Sequence, residues 1–518
     1  MAAEPPVTDC DVLICGLGPV GDLLALLLGQ RGVSVVGIDA APEPYELPRA
    51  AVVDDEVLRI YQWAGILDQI LAESQVQDEV SFVPRHGRRL TLMEPDGTLQ
   101  GQHGLVSIHQ PTMEQTMIEA ARKQSTVDLR WGVRLLDFRQ ENELVRARVE
   151  DESGEQRELT ARWMVGADGG TSWVRQLLGI EFSGSTFRQR WLVVDVALDR
   201  PLDRVKHPHF FGDPERPVVC LPMSPGRHRW EWMVHPGEDV EPMIDPESIR
   251  RRLEPWLGEE TAEVERAVVY TFHHRVAERW REGRVLLAGD AAHLTPPFAG
   301  QGFSSGARDA TNLAWKLEAV LSGAPAALMD SYEAERRPHV EAMIRLAVTM
   351  GKFIQTSNSR VAVGRDLLLR TLEVTGINHW GRQRVKPLPA YGDGAFAETP
   401  AGLVFKRIVG SQFPQPEVVD TKGCRIKLDG LTGLDWTALT SEPEVADAFG
   451  SQGIRSLLAG RDFEDPDKTI SDWLIDHESA WVLLRPDQFI YACGATLEEV
   501  KPATDQLRRD LGRAFPTG

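Results

Sequence analysis

Three turns built from glycine and aspartate hold the residues of this 518-residue chain whose types and spacing could do chemistry. Gly16-x-Gly18-x-x-Gly21 lies between an apolar run, Asp11 to Cys15, and a helical stretch, Leu23 to Arg31, and the strand-like Val33 to Asp39 follows. Gly16 permits a tight turn, Gly18 lets backbone approach a pyrophosphate, and Gly21 brings helix against strand. Pro19 and Val20 complete that turn, and Asp39 stands where a carboxylate accepts a ribose hydroxyl. The unit therefore reads as a dinucleotide site, and its glycines alone leave FAD and NAD both open. In the second turn, Gly166-Ala167-Asp168-Gly169, an acid again ends a strand, with Arg175 shortly after it. The third follows the strand Val285 to Ala288: Gly289-Asp290, a loop with Pro296 and Pro297, then Gly300-Gln301-Gly302-Phe303 opening a helix that runs through Leu317. Unpaired N–H groups at such a helix start favour an anion, and Asp290 is suited to a hydroxyl rather than to a phosphate.

These turns need elements to hold them. Arg49, directly after Pro48, is a candidate catalytic and cofactor-binding residue that could meet an anionic group, and Asp54 or Asp55 caps the next helix. His109-Gln110-Pro111 opens another helix, with proline in its first turn. From residue 181 to 270 the pattern changes to short alternating strands separated by Pro/Gly turns, which predicts an inserted, mostly antiparallel sheet walling a pocket. Met223, Trp230, Trp232, His207, His209, His228, His235 and Pro296 are candidates for that wall, although sequence does not say which strand face points inward. His235 and Asp54 are the candidate catalytic bases. Asp330 to Pro338 reads as a solvated helix face. A composition shift follows Lys386 to Pro416, and residues 401–518 read as a separate α/β domain with a hairpin at Pro486-Asp487.

The net charge of −20 argues against nucleic acid or an anionic membrane as partner. The N-terminal residues have no basic segment leading into an apolar one, and the run Leu23 to Leu28 is too short to span a bilayer, so a cytoplasmic protein is expected. Five scattered cysteines form no Cys-x-x-Cys pair and no zinc-ligand spacing, which predicts reduced, structural thiols and no metal.

The three turns, in this order and spacing, resemble the single-component FAD-dependent aromatic hydroxylases, the class A flavoprotein monooxygenases. Within that class, Pro48 to Glu56, His109 to Pro111, Arg227 to Glu231 and Pro296 to Gly302 are most similar to the 3-(3-hydroxyphenyl)propionate hydroxylase branch. The resemblance implies a Rossmann-like α/β FAD-binding domain (1–180 and 271–400), the substrate-binding sheet (181–270), and a thioredoxin-like C-terminal domain (401–518) without the redox Cys-x-x-Cys. It implies that Gly16, Gly18, Gly21 and Asp39 hold the ADP part of FAD, that Gln110 and Asp290 meet the ribityl chain, and that Asp168 supports cofactor docking. Pro297 and Gly300 to Phe303 would support reduced flavin. NADH or NADPH would reduce the flavin, O₂ would add at its C4a carbon, and a phenolic ring would receive one oxygen. The alternatives are a tailoring oxygenase (hydroxylation, epoxidation or oxygen insertion) on a larger, polyketide-like aromatic, and a flavin-binding protein without oxygenase activity. A homodimer is a further expectation. Two residues depart from the family pattern: Asp39 is followed by Ala40-Ala41, not by a basic residue, and Asp22 adds an acid near the pyrophosphate.

Overall fold

A computed structural model describes residues 8–512, except 86–87, 142, 201, 203–204, 259, 355, 376–385, 387–389 and 398–407. Its first sheet has eight strands, with a central path running Arg281–Glu282, Val285–Leu287, Gln156–Gly166, Cys10–Cys15, Val35–Asp39 and Val127–Trp131. The four pairings within Val285–Leu287 to Val127–Trp131 are all parallel. The near-continuous apolar content of Cys10–Cys15, Val35–Asp39 and Val285–Leu287 suits strands covered on both faces. Parallel order brings the carboxyl ends of Cys10–Cys15, Gln156–Gly166 and Val285–Leu287 to one edge, so the three chemical turns meet there. The helix Pro19–Gln30 begins at the first turn, with Gly18 as its cap and Pro19 at the first helical position. The helix Gln301–Leu321 is rich in alanine and buried almost all round, as a central core helix must be.

A second sheet, also of eight strands, runs His293–Leu294, Ala262–Ala277, Phe182–Leu198, Arg227–Val234, Val218–Pro222, His209–Gly212, Val80–Pro84 and Leu90–Met93. The expected limits of 181 and 270 are too narrow, because two strands come from residues 80–93 and one reaches Ala277. Val80–Pro84 joins by parallel pairing to His209–Gly212, a long-range ladder that no local pattern announces.

Beyond residue 407, strands Thr437–Thr440 and Arg455–Leu458 pair in parallel, and Trp481–Leu484 and Ile490–Gly494 add antiparallel in the order second, first, third, fourth. The proposed boundary at 400/401 lies outside the described residues. The tail has an apolar core of its own, with Phe413, Val418, Leu439, Ile470 and Ile490, and it also joins a larger one. Trp436, Phe449, Trp481, Tyr491 and Leu507 belong to the same contiguous apolar core as Leu13, Leu26 and Trp315. Buried ion pairs add to the join: Arg59 grips Asp429 (2.6 Å), and Arg485 grips Glu335 (2.9 Å). Glu335 and Arg336 lie on the helix Asp330–Ile354, so the solvated face expected for residues 330–338 is corrected. Tyr332, Glu335, Arg336 and His339 form a buried stripe at helical spacing, and each charge in it has a partner.

Candidate active site

An elongated cavity of about 1300 Å³ runs from the first glycine turn, past all three acidic turns, to one face of the second sheet. Gly16, Gly18, Pro19, Val20, Asp39, Arg49, Asp54, Gln110, Asp168, Asp290, Pro297, Gly300, Gln301, Gly302 and Phe303 all line it. A β-carbon on Gly18 would meet nothing within 4 Å, so the space above the helix N-terminus is open. That open cradle, with the free amides and positive dipole end beside it, fits a pyrophosphate. The cavity continues far enough to take the rest of a dinucleotide. At its middle, the helix Gln301–Leu321 starts from Gly300 at φ 64° with no side-chain cap, leaving its first amides free for a ligand.

Asp39 is engaged by the turn itself, since the Leu17 and Ala41 amides each donate to it at 2.8 Å. Its remaining lone pairs are what a ribose would use. Gln110 accepts hydrogen bonds from the backbone amides of Arg49 (2.9 Å) and Ala50 (2.5 Å) and donates to Glu114, so its shown contacts position the Arg49 loop. The Arg49 guanidinium lies 4.4 Å from the centre of the Tyr45 ring at the cavity rim. Asp168 accepts from the Trp173 and Val174 amides (2.7 and 3.0 Å) and from the Ser172 hydroxyl, anchoring the short helix Trp173–Leu177 while facing the cavity. Asp290 opens onto the cavity yet is enclosed by protein mass. Burial raises its carboxyl above the usual range against the pull of His293 and Arg49.

Two further residues support these turns through contacts that no local pattern announces. Arg175 ties two acidic turns together by donating to the Ala291 and Gly170 carbonyls (2.8 and 2.9 Å). His293 is structural: its Nε2 meets Asp309 at 2.6 Å, and Asp309 also receives the Gly289 amide and Arg336. The expected added charge from Asp22 is corrected as well. Its carboxyl is fully buried with no hydrogen-bond partner, and burial, then Glu114 and Asp39, push it well above the normal carboxylate range, so the charged form is disfavoured there.

Asp54 does not fit the role of catalytic base. It caps the helix Asp55–Trp63 through the Val57 amide and is bound by Arg308 (2.5 Å), Lys386 (2.7 Å) and Gln301 (3.1 Å). Burial opposes its charge, but Arg308 and Lys386 overcome that and hold it far below the usual range. A carboxylate so firmly ionised is a poor proton acceptor, and it acts by fixing Gln301 and Arg308 at the start of the central helix.

The substrate-wall candidates are corrected by strand parity. Cross-strand partners share a face, and Trp232 pairs with Val218 while Trp230 pairs with Cys220. All four point away from the cavity, into a core with Met243, Ile249 and Leu253. The opposite parity, Phe210, Val219, Leu221, Arg229 and Glu231, lines the cavity. Met223 is buried in the Met223–Arg227 turn, His235 lies past the strand end where its amide meets Glu238, and Pro296 is buried beside the wall; none of the three lines the cavity. Sequence held a signal for this: in Arg229-Trp230-Glu231-Trp232, charge and aromatic alternate with period two, and the charged set faces the site.

A pyrophosphate cradle joined through one cavity to a largely apolar sheet face is the arrangement of a flavoprotein oxygenase. Residues 9–347 match the FAD binding domain family. A 3-(3-hydroxy-phenyl)propionate/3-hydroxycinnamic acid hydroxylase of Burkholderia cenocepacia (strain HI2424) is 35% identical over 514 residues, covering 93% of each chain. Its counterpart in Mycobacterium avium (strain 104) is 34% identical over all of this chain and 95% of its own. Among solved structures, aklavinone-11 hydroxylase with FAD and aklavinone superposes with a TM-score of 0.80 at 25% identity, covering 98% of this chain and 100% of its own. The chain belongs to the FAD binding domain family and is an FAD-dependent aromatic monooxygenase. Among the described residues, no helix is long and apolar enough to cross a membrane.

Proposed function

We propose that this enzyme hydroxylates a small phenolic acid or related phenol, consuming NADH or NADPH and O₂. The observation that carries this reading is the single cavity, with its dinucleotide cradle at one end and, at the other, a wall of Phe210, Val219, Leu221 and Phe298. The similarity to 3-(3-hydroxy-phenyl)propionate hydroxylases over nearly the whole chain supports the substrate class. FAD, when bound, supplies hydride acceptance and O₂ activation. In this reading the amides of Gln301, Gly302 and Phe303 stabilise negative charge on the reduced cofactor, and Pro297 and Phe298 screen the reacting region from water. Asp39 and Gly18 bind the ADP end, and Asp290 bonds the ribityl chain. The nicotinamide has no cradle of its own among the described residues and visits through the shared cavity. The tail, whose strand order supports a thioredoxin-like fold, acts as a structural clamp, consistent with five free cysteines and no Cys-x-x-Cys.

The test is a screen of phenolic acids, resorcinols and polycyclic phenols for stimulated NADH or NADPH oxidation, with O₂ uptake and product mass recorded. Stimulation with a hydroxylated product by a phenolic acid is the expected result, and no stimulation by any phenol sinks the reading. A second reading, tailoring of a larger fused aromatic, is favoured by the whole-chain likeness to aklavinone-11 hydroxylase, and turnover of polycyclic phenols alone would select it. A further expectation concerns Arg49. Arg49→Ala should slow flavin reduction at least about tenfold in stopped flow, a loss of about 1.4 kcal/mol in the transition state. Unchanged reduction and FAD affinity would remove Arg49 from the site.

A further inference from the structure

Asp54 is locked in ion pairs and His235 is off the cavity, so the site as first read has no base for a phenol. The inner face of the second sheet carries one. Across its strands, Phe82, Phe210, Val219, Glu231, Val193 and Val268 form one continuous cross-strand row. Glu231 is the only ionisable residue in it. The adjacent row, Leu221, Arg229, Asp195 and Arg266, is a closed ion ladder. Arg229 binds Asp195 (2.6 Å) and donates to the Arg49 and Pro48 carbonyls, and Arg266 also reaches Pro48. Those cations are therefore occupied in holding the Arg49 loop. Glu231 faces the cavity, and no hydrogen bond or ion pair among the described residues engages its carboxyl.

A carboxyl in an apolar wall without a protein partner is costly unless a ligand completes it. We infer that Glu231 is the catalytic base that receives the proton of the substrate's phenolic hydroxyl. This rests on the hydroxylase reading above and deepens it. The phenol O–H bond breaks, its electron pair stays on oxygen as phenolate, and an O–H bond forms on the Glu231 carboxylate, which returns the proton once the ring is hydroxylated. The phenolate activates the ring towards electrophilic oxygen. The same residue sets orientation, because a substrate carboxylate placed against Glu231 would meet a like charge, so the hydroxyl end must lie there. Burial raises the Glu231 carboxyl above its ordinary range, with Asp195 adding to the rise and Arg229 and Arg266 opposing it, which brings the base nearer to working pH.

The experiment uses FAD-loaded wild type, Glu231→Gln and Glu231→Asp with 3-(3-hydroxyphenyl)propionate and with the best phenol from the screen. Two quantities are read at saturating substrate: the rate of product formation and its dependence on pH. Wild-type product formation should fall off as pH drops and Glu231 becomes protonated. In Glu231→Gln it should fall about 100-fold, the usual lower bound for a lost general base, and that acid limb should disappear, leaving a rate that rises with pH towards the ionisation of the free phenol. Glu231→Asp should recover part of the rate and keep the acid limb, and it carries the test if the Gln variant fails to retain FAD. A Glu231 variant that retains the wild-type rate and pH profile overturns the inference while leaving the hydroxylase reading intact. A wild type that no phenol stimulates overturns the hydroxylase reading instead, and this one with it.

Discussion

Gly18→Ala should fold as the wild type does and lose FAD affinity at least about tenfold, whereas Gly21→Ala should lose both FAD and stability. The difference follows from what surrounds each α-carbon. At Gly18 a β-carbon has nothing within 4 Å, so it would project only into the space we assign to the pyrophosphate. At Gly21 it would lie 2.0 Å from the Gly16 carbonyl oxygen. Gly16 cannot yield, because it is held at φ 105° with its own β-carbon direction blocked by the Ala167 carbonyl oxygen at 2.5 Å. The helix Pro19–Gln30 must move off the strand instead, at a cost of about 1–3 kcal/mol or more. Fluorescence titration of apoprotein with FAD, beside thermal melts, reads both effects. An unchanged FAD dissociation constant in Gly18→Ala would mean that no pyrophosphate lies above that turn.

Glu335→Gln should be the most damaging single change remote from the cavity, lowering stability by about 3–5 kcal/mol. Glu335 is fully buried, accepts hydrogen bonds from both terminal nitrogens of Arg485, from Asn312 and from the Ala395 amide, and forms an ion pair with Lys316 (3.0 Å). Neutralising it leaves two buried cations, Arg485 and Lys316, against a single acid, Asp487. The urea midpoint should fall, and the tail's tryptophans, Trp436, Trp473 and Trp481, should report the loss. Burial works against the Glu335 charge, but Arg485 and Lys316 overcome it and hold its carboxyl at about 2, below its ordinary 4.5. The sign is that of a depressed acid: its stabilisation is fully present above about pH 4.5 and disappears as pH falls towards 2. Wild type should therefore lose in that window a contribution that the variant never had. A variant as stable as wild type at pH 7 would show that the tail is held by its apolar contacts alone.

The turns at Gly16, Asp168, Asp290 and Gly300 were legible in the sequence because each depends on local backbone demands that glycine, proline and acid placement advertise directly. So were the FAD-binding βαβ unit, the central helix and the hairpin at Pro486-Asp487, since hydrophobic period and turn residues act over a few positions. What the tertiary structure alone decided depends on long-range pairing. Whether Trp232 or Glu231 faces the site is a matter of which side of one sheet receives the helix Pro246–Leu257, and an alternating strand is consistent with either. Asp54 was recognisable as an acid and as a cap, but not as the partner of Arg308 and Lys386, which lie 254 and 332 residues further along the chain. Residues 330–338 read as solvated because their charges are many, yet Glu335 and Arg336 are buried because Glu335 meets Arg485 of the tail and Arg336 meets Asp309 of the central helix. Local sequence thus wrote the cofactor's cradle, while the pairing of distant strands and charges chose the base and the wall that the substrate meets.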